Sequence, residues 1–130
     1  MISGLLKHAA RHHGQGDIIS RQHDGSTHRG TWADTERRAR RLVRALQRLG
    51  IGESDRAGTL AMNGYRHLEV YYAAPGMGAI CHTVNPRLHP ADIAYILQDA
   101  QDRVLFIDPG FLPLLGSIAA KLPDNLTDIV

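Results

Sequence analysis

The chain has 130 residues, 43% of them apolar and 22% charged, with a formal charge of +2. That balance fits one globular domain and excludes a disordered segment. No apolar run approaches the ~20 residues needed to cross a bilayer, and Lys7 and His8 interrupt the opening Met1–Leu6 before it makes a signal-peptide core. A cytoplasmic protein is expected. Cys81 is the only cysteine, so no internal disulfide can form; set in an apolar run, it reads as a small buried hydrophobe.

In chain order, Ile2 to His12 places Ile2, Leu5, Leu6 and Ala9 at helical spacing. Ile18 to Arg21 and Thr27 to Thr31 read as two strands about an Asp24-Gly25 hairpin turn. Their modest apolar content predicts an edge position in a sheet. Thr31 is the N-cap of the next helix, Ala33 to Leu49, and Asp34 completes a weak capping box. Ala39, Leu42, Val43, Leu46 and Leu49 make its apolar stripe, and Gly50 supplies the left-handed C-terminal cap.

From Gly52 onward strands and helices alternate. Arg56 to Ala61 is a strand, turned at Met62-Asn63-Gly64. Tyr65 to Ala74 is a helix with Leu68, Tyr71, Tyr72 and Ala74 inward, disturbed at Pro75. Ala79 to Val84 is a strand, and Pro90 to Ala100 a helix with Ile93, Ile96, Leu97 and Ala100 on one face. Arg103 to Ile107 is a strand and Phe111 to Lys121 the last helix. Leu126, Ile129 and Val130 look like the approach to a further strand, so a truncated chain is expected. The fold class is α/β, with a mainly parallel sheet, βαβ crossovers and a short N-terminal hairpin.

No catalytic constellation emerges. Arg37, Arg41, Arg44 and Arg48 share the outer face of the second helix, which invites a nucleic-acid reading. The Glu36–Arg40 pairing and the apolar stripe opposite suit a solvated face instead, and no recognition motif accompanies the arginines. His8, His12 and His13 share consecutive helical turns, but no carboxylate or cysteine nearby completes a metal set. His82 is expected to be a hydrogen-bonded core or edge residue. Gly76 and Gly78 lie after a helix and before a strand, the reverse of a dinucleotide-binding turn. Nucleophile-elbow and phosphate-loop patterns are both absent.

Residues 1–130 as a whole resemble the N-terminal segment of fatty-acyl and medium-chain acyl-CoA synthetases, within the adenylate-forming, AMP-binding enzyme family. The resemblance runs through Leu5–Ala10, Gly30-Thr31-Trp32-Ala33-Asp34, Leu49–Gly52 with Asp55-Arg56, Arg66–Glu69, Tyr71–Ala79, His82–Leu88 and Asp102–Asp108. It implies a partial N-terminal domain of the acyl-CoA synthetase fold. It also implies a parent that converts a fatty acid or other carboxylic acid with ATP and Mg²⁺ to acyl-AMP, then passes the acyl group to coenzyme A. In such relatives the phosphate loop, the nucleotide contacts and the C-terminal lysine lie downstream. The segment is therefore expected to be inactive, with no catalytic, cofactor-binding or metal-binding residue of its own. Thr31, Trp32, Gly76 and Gly78 carry structural roles in this comparison, and Gly30 departs from the aromatic residue common there. A homodimer is expected from the relatives' N-terminal association and from a cut sheet edge. The alternative readings are a stand-alone α/β binding or oligomerisation domain and, behind it, a basic nucleic-acid-binding module.

Overall fold

The computed structural model describes residues 2–130. Six strands and five helices follow the chain as α1 (Ser3–His12), β1 (Asp17–Arg21), β2 (Thr27–Thr31), α2 (Trp32–Arg48), β3 (Arg56–Leu60), α3 (Tyr65–Gly76), β4 (Ile80–Thr83), α4 (Pro90–Ala100), β5 (Val104–Ile107), α5 (Leu112–Ile118) and β6 (Asp128–Ile129). The α/β class and parallel sheet are as the sequence implied. The sheet runs β4-β3-β5-β6, all parallel.

β1 and β2 pair antiparallel from Asp17↔Thr31 to Arg21↔Thr27, but as a separate two-stranded sheet. The expected edge position is thus corrected. The ribbon instead packs by side chains, with the His28 ring stacked on Tyr65 at 3.7 Å. At its tip Gly25 has φ +83°, and the Ser26 N–H donates to Asp24 Oδ1.

α2 begins as its sequence dictates. The Asp34 N–H donates to Thr31 Oγ1 at 3.1 Å and the Thr31 N–H returns to Asp34 Oδ2 at 3.2 Å, forming a reciprocal capping box. Gly50, at φ +76°, closes the other end, where the Ile51 N–H donates to the Leu46 carbonyl. Ala39 and Leu46 are buried and Leu42 and Val43 half-buried, whereas Leu49, at the frayed end, is exposed.

α2 and α3 cover one face of the sheet, where Leu46, Ala74 and Ala79 meet Ala57 and Val104. α4 and α5 cover the other, where Ile93, Leu97, Leu115 and Ile118 meet Leu60 and Leu105. α1 lies outside, its Leu6 against Ala39 and Ala73.

Two local expectations change. α3 buries Glu69, Val70, Ala73 and Ala74, while Tyr71 is exposed, so its inward face is rotated from the one assigned to Leu68, Tyr71 and Tyr72. The helix is wedged between α2 and the sheet, and Glu69 is turned inward to meet Arg38 Nε at 2.6 Å. Pro75 lies in the last turn of α3, which runs on to Gly76, so the proline costs the helix only a terminal hydrogen bond. The last helix is a short α5 between 3₁₀ turns at Pro109–Phe111 and Ala119–Lys121.

Candidate functional site

Strand order reverses between β3 and β5, since β4 lies on one side of β3 and β5 and β6 on the other. In open parallel sheets the crevice at the carboxyl ends beside such a switch is the usual ligand position. Here it is occupied by the protein's own groups. The Met62 N–H donates to Asp108 Oδ2 at 2.7 Å, tying the end of β3 to the end of β5. Below it, Thr59 Oγ1 and His67 Nε2 lie 3.1 Å apart. Burial holds the His67 imidazole below its ordinary pKa, against the opposing pull of Asp108, which favours the neutral ring. The hairpin closes the side of the crevice, with His23 against Gly110 so tightly that a Cβ there would lie 2.7 Å from His23 Nε2.

A second polar cluster is deeper. Gly58, His82 and Leu105 are ladder neighbours on β3, β4 and β5 and point to one face. Because Gly58 has no side chain, a slot opens between the other two, and the Asp102 carboxylate fills it. Asp102 is fully buried, and its Oδ2 lies 2.8 Å from His82 Nδ1. Burial lifts the carboxyl above its ordinary range, opposed by the His82 hydrogen bond and then by the charges of His82 and Arg56. Its Oδ1 has no protein partner among the described residues. On the opposite face of β4, burial pushes the Cys81 thiol up to about 11, so it stays protonated and weakly nucleophilic at neutral pH.

The other residues singled out in the sequence remain apart from both clusters. The His8 and His12 rings stand 4.5 Å apart on exposed turns of α1. Among the described residues, no group of three or more His, Cys, Asp or Glu converges on a metal position. Gly78, at φ +89°, makes the α3–β4 passage, and a Cβ there would press on Glu53. Arg37, Arg41, Arg44 and Arg48 are all exposed. Sequence reasoning found His82 but missed its partner; the lone glycine inside the β3 pattern was the available sign of a close approach.

The nucleotide and metal implied by the resemblance do not fit the β3–β5 crevice. The turn into α3 carries one glycine, Gly64, and the Asp108 carboxylate would repel a phosphate at the same mouth. No step of an adenylation reaction is routed through these residues.

The sheet is doubly wound, and the described residues at its switch point form no phosphate cradle. The profile of the AMP-binding enzyme family matches residues 6–128, and the chain belongs to that family. It is 51% identical over 129 residues to the 3-methylmercaptopropionyl-CoA ligase of Ruegeria lacuscaerulensis, covering 99% of this chain and 23% of that one. It is 51% identical over 118 residues to the long-chain-fatty-acid–CoA ligase of Thermus thermophilus, covering 91% of this chain and 22% of that one. A fatty acyl CoA synthetase of Mycobacterium tuberculosis superposes over 99% of this chain and 26% of its own, with TM-score 0.84 and 25% identity. The chain thus spans about a quarter of the length of these relatives.

Proposed function

We propose that these 130 residues are the opening part of the AMP-binding domain of an ATP-dependent fatty acid–CoA ligase, and that they are inactive alone. The parent reaction joins a carboxylic acid to AMP, releasing pyrophosphate, and then exchanges AMP for the thiol of coenzyme A. The observation that carries this reading is 51% identity, sustained across nearly the whole chain, to two acyl-CoA ligases. Supporting it, both polar clusters are spent on holding strands together. Asp108 ties β5 to β3 and Asp102 ties the α4–β5 junction to β4. ATP, Mg²⁺ and coenzyme A belong in this reading to residues of the parent outside the present sequence, and the reading places that parent in the cytoplasm. Among the described residues no helix is long and apolar enough to cross a membrane. The test is acid-dependent exchange of labelled pyrophosphate into ATP with Mg²⁺ and a panel of fatty acids. The isolated chain is expected to give none, and exchange above the no-acid blank would refute inactivity.

A further inference from the structure

Away from both clusters, α1, α2 and the end of α3 enclose a groove of about 390 Å³, within the size range of small-ligand clefts. Its floor is apolar. Leu6, Ala39 and Ala73 are buried there, with Val43 and Tyr72 half-buried beside them. Its rim is cationic. Lys7 from α1 and Arg40 and Arg44 from α2 line it with a single carboxylate, Glu36. Glu36 is already paired with Arg40 on its own helix. Lys7 and Arg44 have no ion-pair partner among the described residues, and α1 carries no acidic residue. The groove therefore presents two uncompensated positive charges over a hydrocarbon floor.

That combination selects the occupant. A neutral chain would leave the two cations facing an apolar neighbour, whereas an anionic head neutralises them. We propose that the groove binds a single-chain anionic amphiphile, a free aliphatic carboxylate, with the head between Lys7 and Arg44 and the chain along Leu6, Val43, Tyr72 and Ala73. The proposal uses only residues of this chain and does not rest on the ligase reading.

The test is a titration of the ¹⁵N-labelled chain with decanoate below its micellar concentration. Amide shifts are expected to saturate at one ligand per chain and to cluster on residues 6–7, 39–47 and 72–76. Lys7→Glu/Arg44→Glu, checked for an unchanged melting curve, should weaken binding by about tenfold, as two exposed attractions become repulsions. Decanol should bind more weakly than decanoate, and Arg87→Ala, outside the groove, should bind decanoate like the parent chain. Scattered or unsaturating shifts, equal binding of decanol, or full affinity in the doubly reversed variant would each overturn the proposal. So would binding to vesicles of anionic phospholipid that decanoate fails to displace, because the surface would then recognise a bilayer instead.

Discussion

Gly58→Ala isolates the packing at the centre of the sheet. A Cβ on Gly58 would lie 2.9 Å from Asp102 Cγ and 3.0 Å from its Oδ2, inside any tolerable contact. Asp is too short to swing aside, and it is fully buried with its carboxylate 2.8 Å from His82. Relief requires either the carboxylate to withdraw or β3 to shift. Overpacking of this kind costs about 1–3 kcal/mol, and a lost hydrogen bond to a charged group adds about 1.5–3 kcal/mol. Gly58→Ala should therefore destabilise by about 2–5 kcal/mol, part of the sum being returned by a stiffer strand. In an Asp102→Ala background the slot is empty and the same methyl fills it. There the substitution should be neutral or stabilising by up to about 1 kcal/mol. Urea unfolding of the four proteins, followed by circular dichroism, gives the coupling directly. An equal cost of Gly58→Ala in both backgrounds would refute the account of the slot.

The pH dependence of the same carboxyl has a defined sign. Its pKa is raised on folding, so the stability tied to its neutral form is present below the ordinary value of 3.8 and is lost as pH rises through the folded value. The stability of the parent chain relative to Asp102→Asn should thus fall from about pH 4 upward across acid-range melts, and a flat difference would contradict it. Leu46→Ala should cost about 2–5 kcal/mol in denaturant melts, because Leu46 is fully buried, while Arg41→Ala on the outer face should stay within about 0.5 kcal/mol. Thr31→Ala should cost about 1 kcal/mol by removing the acceptor of the Asp34 N–H at the start of α2. The isolated chain should self-associate through its β6 edge, where Ile129 and Val130 are exposed, and a concentration-independent monomer in sedimentation would refute that.

Helix ends and strand periods were legible because their causes are local. Thr31 with Asp34 sets the start of α2, Gly50 its end, and Pro90 the start of α4. The face of α3 was not legible, since its tyrosines read as apolar while their size favours the rim. Only the position of Arg38 on α2, 31 residues away, explains why Glu69 turns inward. The hairpin was assigned to a sheet edge for the same reason: strand propensity says that a segment pairs, not with what. The Asp102–His82 contact joins residues 20 apart through a glycine on a third strand, and no spacing rule along the chain encodes it. Membership of the AMP-binding enzyme family was legible from ordered motifs over most of the chain.

The central proposal, that this chain is the opening quarter of an acyl-CoA ligase, is tested most directly by a chimera. The 118-residue region matched in the Thermus thermophilus long-chain-fatty-acid–CoA ligase is replaced by its counterpart here, and formation of acyl-CoA from fatty acid, ATP and coenzyme A is measured. The account predicts a folded chimera that makes acyl-CoA. A chimera with the cooperative melting transition of the parent ligase but no acid-dependent acyl-CoA formation would contradict it.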